Sequence, residues 1–184
     1  RLEDLVHQNQ GRPSMLPVLQ ELAAIYRDMG LTQEMIESYG KIAALTDEAG
    51  QLSDAAQALF EAGAADEGLQ IAKRVDVAKL EPAAAYAFLD AWGRTLLRGN
   101  PDAAMDLLMR AHDSYPEQRT AEGVEGTLRA ALTLGRSAQA RALVMDLQAR
   151  TTTKEHAAER PIFEQAAVEY ADFLYDRGDY AAAD

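Results

Sequence analysis

Glycine recurs along this chain at nearly regular intervals, and that recurrence most constrains how the chain can fold. The intervals are 33, 36, 36 and 43 residues, and they separate Gly30, Gly63, Gly99, Gly135 and Gly178. Intervals of this size are typical of repeats that each contain a pair of helices. Glycine also suits the end of a helix, where the backbone often takes a positive φ. The sequence therefore predicts a repeated helix–turn–helix unit.

Apolar residues on both sides of Gly30 follow the period of an α-helix. One stripe precedes the glycine and another follows it: Leu19, Leu22, Ala23 and Tyr26, then Met35, Ile36, Tyr39, Ile42 and Ala43. Steps of three and four residues place each set on one helix face. No stretch alternates convincingly with period two, so strands are not predicted. We expect an all-α chain.

The second helix of the unit shows one spacing of four, three and five residues in four places. These are Met35, Tyr39, Ile42, Asp47; Gly68, Ala72, Val75, Leu80; Ala104, Leu108, Ala111, Pro116; and Ala140, Val144, Leu147, Thr152. Small residues recur among them because two helices of a hairpin approach closely only where side chains are small. Trp92 and the pair Met105 and Met109 fall on the same apolar stripes, which predicts that they pack in the core.

Together with Leu89, Trp92-Gly93 and Leu96 in a first helix, this pattern resembles the tetratricopeptide repeat (TPR) over nearly the whole chain. The resemblance implies a single domain, 1–184, folded as a right-handed superhelical solenoid of antiparallel helix hairpins. The repeats would lie at about 14–48, 49–80, 81–117, 118–152 and 153–184, the last incomplete. Both chain ends look like helices cut part-way, so we expect a piece of a longer protein.

The turn before Ala104 is one residue short. Three further stretches depart from the pattern. Gly68, Ala72 and Val75 give a second helix with little bulk, so we expect that repeat to pack loosely. Gly123 and Gly126 lie inside a predicted first helix, where each costs about 0.5–1 kcal/mol relative to alanine. They indicate either a degenerate repeat or the close approach of a neighbour or ligand. Thr152 and Glu155 have capping-box spacing, which predicts a helix start near 153. Pro161 then either kinks that helix or, as we favour, lies in the first turn of the next one.

The charge of the chain narrows the range of partners. Its formal net charge is -12, from 30 acidic and 18 basic residues. Nucleic acid is not an expected partner, because phosphate binding needs clustered lysine and arginine, and an anionic membrane surface would repel the chain. No apolar run is long enough for membrane insertion. Cysteine is absent, which excludes disulfides and a thiol nucleophile and leaves the compartment open.

No catalytic, cofactor or metal site is predicted. His7, His112 and His156 lie in different predicted repeats without metal-ligand spacing. The serines have no nucleophile-elbow context, and no phosphate-binding glycine loop occurs. Carboxylate pairs such as Glu122 and Glu125 are expected by chance in so acidic a chain. The segment is therefore not expected to be an enzyme.

The resemblance implies that the first helices line a concave groove that holds a peptide or partner segment. The residues at the corresponding positions are Gln20, Arg27, Gln57, Phe60, Asp90, Arg94, Asp172 and Tyr175. Their mixture of amide, aromatic and charged groups suits an extended polypeptide better than a phosphate. The alternative is that they are ordinary exposed helix residues.

Three functions stay open, all of them non-catalytic for this segment. The first is a periplasmic scaffold in bacterial exopolysaccharide export, because the alanine-rich repeats are similar to those of PelB-like outer-membrane export proteins. That resemblance implies a polysaccharide-modifying enzyme as partner, and the acidity of the chain suits a cationic polysaccharide. The second is a cytoplasmic adaptor or chaperone with protein partners, and the third is the sensor domain of a larger regulator. End repeats without polar caps would also favour self-association.

Overall fold

The computed structural model describes residues 12–154 and 156–179, and within them the chain forms α-helices and no strand. The helices are α1 (Leu16–Asp28), α2 (Thr32–Leu45), α3 (Ala49–Glu61), α4 (Ala65–Ala72), α5 (Pro82–Leu96), α6 (Pro101–Ser114), α7 (Ala121–Thr133), α8 (Ser137–Thr151) and α9 (Arg160–Asp176). Single 3₁₀ turns lie at Pro13–Met15, Val77–Lys79, Pro116–Gln118 and Ala157–Glu159. No described helix is long and apolar enough to span a lipid bilayer. The all-α prediction is confirmed.

The chain divides into two compact units, residues 1–92 and 93–184. In the first unit α1 pairs with α2 and α3 pairs with α4, and in the second α7 pairs with α8, which also packs on α9. The described core of the first hairpin is formed by Met15, Leu19, Leu22, Ala23 and Ile42. That of the second unit includes Met105, Leu108, Val124, Leu128, Leu143 and Leu147. The helical stripes thus form the core, and each predicted repeat interval up to residue 152 contains one pair of helices.

Four of the five recurring glycines adopt the left-handed backbone that ends a helix. Gly30, Gly63, Gly135 and Gly178 have φ between 68° and 78°. In each case the residue after the glycine donates its backbone N–H to a carbonyl five residues earlier, as Leu31 does to Tyr26 at 2.8 Å. This pattern is the Schellman motif, and glycine suits it because a Cβ is strained at positive φ.

Gly99 is the exception, and the short turn explains it. Gly99 does not take a positive φ. Asn100 instead donates its N–H to Leu96 at 2.8 Å, only four residues back, and its side chain accepts from the N–H of Ala103 to begin α6. Pro101 then occupies the first turn. Because the sequence is one residue short before Ala104, the connection between α5 and α6 forms a tighter turn with a side-chain cap instead of a Schellman motif.

Small residues mark the tightest helix contacts inside both units. A Cβ added to Gly93 on α5 would lie 2.6 Å from Leu108 Cγ and 3.2 Å from the Ala104 carbonyl on α6. A Cβ added to Gly68 on α4 would lie 2.6 Å from the Phe60 ring and 3.2 Å from the Ala56 carbonyl on α3. One hairpin has its glycine on the first helix and the other on the second. In both, a missing side chain sets how closely the helices approach.

The capping-box prediction at Thr152 is wrong. No helix begins near 153 among the described residues: α8 ends at Thr151 and the next turn begins at Ala157. The hydroxyl of Thr152 donates to the carbonyl of Ala149, and Thr153 donates likewise to Arg150. These threonines thus serve the end of α8, whose last carbonyls lack helical partners. Pro161 lies in the first turn of α9, as predicted, whereas Glu155 and His7 lie outside the described residues.

Candidate partner-binding surface

Of the eight residues predicted to bind a partner, six lie on α1, α3 and α5, and Asp172 and Tyr175 lie on α9, which begins the last predicted repeat. Five of them are exposed: Gln20 and Arg27 on α1, Arg94 on α5, and Asp172 and Tyr175 on α9. Gln57 and Phe60 on α3 and Asp90 on α5 are half-buried. That they form one binding surface stays a prediction, and each unit is described separately below.

In the first unit, two of the predicted residues meet in a polar depression of about 350 Å³. Arg27 from α1 and Gln57 from α3 line it, and three further side chains, Tyr39, Asp54 and Glu61, complete its polar lining. Gln57 donates to the hydroxyl of Ser53 at 3.1 Å, which orients its amide. We call these five residues the polar depression. It combines one cation, two carboxylates and two groups that can donate or accept hydrogen bonds.

Burial and charge shift two pKa values in the polar depression. Burial raises the pKa of the Tyr39 phenol; Arg27 opposes that shift, while Asp54 and Glu61 add to it. The Asp54 carboxylate reaches solvent, but the surrounding protein removes part of its hydration and raises its pKa, with a further contribution from Glu48. The carboxylates therefore lie where a cationic group of a partner would be favourable.

Phe60 has a different position from its predicted neighbours. It does not line the polar depression; its ring packs inside its own hairpin, against the backbone of Gly68. This contact accounts for its partial burial without a partner.

In the second unit, the side chain of Arg94 lies over Gly126 of α7. A Cβ added to Gly126 would lie 3.3 Å from Nε of Arg94 and 3.5 Å from its Cζ. Of the two interpretations of this glycine, the structure supports close approach by a neighbour. That neighbour is Arg94, one of the eight residues predicted to contact a partner.

Charged side chains on α7 and α9 form a network that the sequence did not predict. Arg129 donates to Glu169 at 3.0 and 3.2 Å and to Glu125 at 2.8 Å, and Glu169 also accepts from Gln165. These hydrogen bonds raise the pKa of Arg129 and lower that of Glu169. The four-residue spacing of Glu125 and Arg129 is the one signal in the sequence that could have indicated part of this network.

The end of α9 carries an aromatic cluster beside the two residues predicted there. Tyr170 and Phe173 stack with ring centroids 6.5 Å apart, and Arg177 lies 5.2 Å from the centre of the Phe173 ring. Tyr175 is one of the most exposed large apolar side chains, at 64%. Aromatic and arginine side chains of this kind contribute much of the binding energy at protein interfaces.

The two described histidines, His112 and His156, each contact a carboxylate. His112 on α6 contacts Asp146 on α8 at 3.2 Å, and Arg119 lies 3.6 Å from the same carboxylate. His156 lies 3.1 Å from Glu159. In the part of the chain that the structure describes, no group of three potential ligands is arranged to hold a metal ion.

Among the solved structures that this chain resembles is one built of helical repeats. It is the crystal structure of the nearly identical TPR-like repeats of a kinesin light chain candidate from Podosopora anserina. The match has a TM-score of 0.64, 22% sequence identity, and covers 94% of this chain and 91% of that chain. The fold is TPR-like. No family model and no curated protein matches the chain. The comparison confirms the predicted fold class. Four residues of the polar depression lie on the first helices α1 and α3, and Tyr39 lies on the second helix α2.

Proposed function

We propose that this TPR-like chain is a non-catalytic scaffold that binds an extended polypeptide segment of a partner protein along its first helices. The observation that carries the proposal is the polar depression, in which Arg27 of one hairpin meets Gln57 of the next. A segment that crosses successive hairpins would contact both residues at once.

The chemistry of the polar depression suits a polypeptide. A peptide backbone offers a donor and an acceptor at nearly every residue, and the amide of Gln57 and the phenol of Tyr39 can pair with either. Asp54 and Glu61 favour a basic side chain in the segment, in agreement with the net charge of -12.

Selection of dodecapeptides from a random display library supplies a probe for this surface. The tightest peptide is titrated against the wild type and the double variant Arg27→Ala/Gln57→Ala by calorimetry. We expect the double variant to bind at least about tenfold more weakly, because truncation of central polar contacts commonly costs more than 1 kcal/mol.

A matched control shows whether the loss is local. Arg141→Ala removes one arginine from an exposed position on α8, a second helix, and should leave affinity unchanged. In the second unit, Arg94→Ala/Tyr175→Ala should also weaken binding while the melting temperature stays the same. Equal affinity of all the variants would reject the first helices as the binding surface.

The narrower proposal is that the chain works in the periplasm, in exopolysaccharide export. Its supports are the alanine-rich repeats and the net charge of -12, which favours a partly deacetylated, cationic sugar polymer or the enzyme that modifies it. Binding to glucosamine oligomers but not to their fully acetylated forms would support it. A kinase or cyclase domain encoded in the full reading frame would instead favour the hypothesis of a regulatory sensor domain. A full reading frame that encodes only a compact single-domain protein would favour the hypothesis of a cytoplasmic adaptor.

A further inference from the structure

A second opening lies in the first unit, between the second helices α2 and α4. It has a volume of about 490 Å³, within the range typical of binding pockets. Its floor is apolar and contains the buried residues Ala43, Leu59 and Ile71. Ile36, Gly40 and Ala44 line its α2 side. We call it the α2–α4 groove; no residue of the polar depression lines it.

Gly40 leaves this groove open. The glycine is exposed in the middle of α2, and a Cβ added there would meet nothing within 4 Å. Tyr39 of α2 and Leu108 of α6 occupy the same place in the four-three-five spacing. Gly40 directly follows Tyr39, and Met109 directly follows Leu108, so Gly40 and Met109 are corresponding residues. Met109 is packed against the core of the second unit. On α2, Gly40 therefore leaves empty a position at which α6 has a side chain packed on its core, although glycine weakens a helix interior.

Among the described residues, Arg74 is the only cation that lines the groove, and it already has hydrogen-bond partners. Arg74 donates to the carbonyls of Ala43 and Thr46 at 2.7 and 3.0 Å and to the carboxylate of Asp47 at 2.8 Å. Glu37 on α2 and Glu67 on α4 are exposed, one on each wall. The groove thus combines an apolar floor with two carboxylates at its walls.

We infer that the α2–α4 groove binds a segment of a partner protein that inserts a large apolar side chain between flanking lysine or arginine residues. The apolar side chain would occupy the space above Leu59 and Ile71. The flanking cations would pair with Glu37 and Glu67. A second copy of this chain is a poorer occupant, because its net charge of -12 opposes approach to an acidic rim.

The test uses a fluorescein-labelled synthetic peptide with a central Leu–Phe pair flanked on each side by two lysines. Anisotropy measures its affinity, and amide chemical shifts of the ¹⁵N-labelled protein locate it. We expect shifts at Ile36, Gly40, Ala44 and Ile71. Peptides with glutamate for lysine, or alanine for Leu–Phe, should bind at least about tenfold more weakly, a loss of about 1.4 kcal/mol.

Gly40→Met separates binding from folding. Methionine would place a long apolar side chain in the space that Gly40 leaves empty beside the groove, so peptide affinity should fall at least about tenfold. The variant should unfold at a higher denaturant concentration than the wild type, because glycine is removed from a helix interior. Lys41→Met is the matched control: it adds the same side chain at a position that does not line the groove, and its lost positive charge can only favour a cationic peptide.

Several outcomes would overturn the inference. The first is that the wild type does not bind the lysine-flanked peptide. The second is that Gly40→Met binds this peptide with the same affinity as the wild type. The third is that the amide chemical-shift changes are confined to the polar depression. A wild type that dimerises while Gly40→Met stays monomeric in sedimentation would identify a second copy as the occupant. Arg27→Ala/Gln57→Ala should leave this affinity unchanged, so the result is independent of the proposed first-helix surface.

Discussion

At the scale of single residues, glycine has three separate roles in this chain. Gly30 and its equivalents supply positive φ at the ends of helices. Gly68 and Gly93 admit a neighbouring helix, since a Cβ at either would overlap a side chain and approach a carbonyl. At Gly126 the nearest atoms are those of the Arg94 side chain. The three roles differ in what a Cβ would meet, which the residue type does not reveal.

Alanine at two of these glycines should have opposite effects on stability. Gly93→Ala places a methyl against Leu108 and the Ala104 carbonyl, so we expect a loss of about 1–3 kcal/mol. The three atoms nearest to the methyl of Gly126→Ala, at 3.3–3.6 Å, all belong to Arg94, an exposed side chain that needs to shift by only a few tenths of an ångström, so the gain of up to about 1 kcal/mol in helix stability should prevail. Urea denaturation measures both.

Gly126→Ala also tests the interpretation of Arg94. If that side chain contacts the partner, its displacement should lower affinity for the selected dodecapeptide even though the protein is more stable. A destabilisation as large as that of Gly93→Ala would contradict our account of Gly126.

At the scale of elements, the connection from α8 to α9 is maintained by ion pairs rather than by a glycine turn. Arg150, in the last turn of α8, donates to both carboxylate oxygens of Glu159, and His156 contacts the same carboxylate. The hydrogen bond from Arg150 lowers the pKa of Glu159, with smaller contributions from charge and from His156. Both partners of the Arg150–Glu159 pair are largely shielded from solvent, at 23% exposure each.

This pair should make stability depend on pH in the acid range. Because the pKa of Glu159 is lowered by folding, its contribution is complete above the ordinary value of 4.5 and is lost as pH falls through the lowered value. Glu159→Gln should therefore cost about 1 kcal/mol at pH 7, and the difference from wild type should disappear in acid.

Glu164→Gln is the matched control. Its pair with Arg160 is much more exposed, at 60% and 72%, so the variant should change stability less. Thermal unfolding between pH 3 and pH 7 compares the two variants. A constant Glu159→Gln effect across that range would show that the carboxylate acts by packing rather than by charge.

At the scale of the whole molecule, two surface properties have opposite effects on self-association. The net charge of -12 makes copies of the chain repel one another, whereas exposed apolar side chains favour their association. Met29, Met145, Val168 and Tyr175 are between 58% and 65% exposed. Repulsion between copies is strongest at low salt, since the screening length is about 30 Å at 0.01 M and about 3 Å at 1 M. Hydrophobic attraction has no such dependence.

Self-association should therefore increase with ionic strength. Sedimentation equilibrium should give an apparent mass nearer the monomer at low salt and above it at high salt. Val168→Lys removes one exposed apolar side chain from α9 and should reduce the effect. Dissociation on adding salt would instead indicate that ion pairs between copies hold them together.

Much of this architecture was predictable because it depends on local regularities. The glycine intervals and the apolar stripes follow from the geometry of short helices and their turns, which neighbouring residues control. The same reasoning was wrong at Thr152, where a motif of two residues served the end of one helix rather than the start of another. Short motifs do not show which neighbouring element they serve.

The amino-acid sequence by itself determined the helical class and the hairpin interval, since both follow from the periodicity of apolar residues and glycines. Only the tertiary structure decided which polar groups meet. It placed Asp54 and Glu61 beside Arg27 and joined Arg129 to Glu169, 40 residues away. It also left Gly40 uncovered above an apolar floor. The physical reason is that surface groups on different helices have no fixed spacing along the chain, and only packing of the hairpins brings them together.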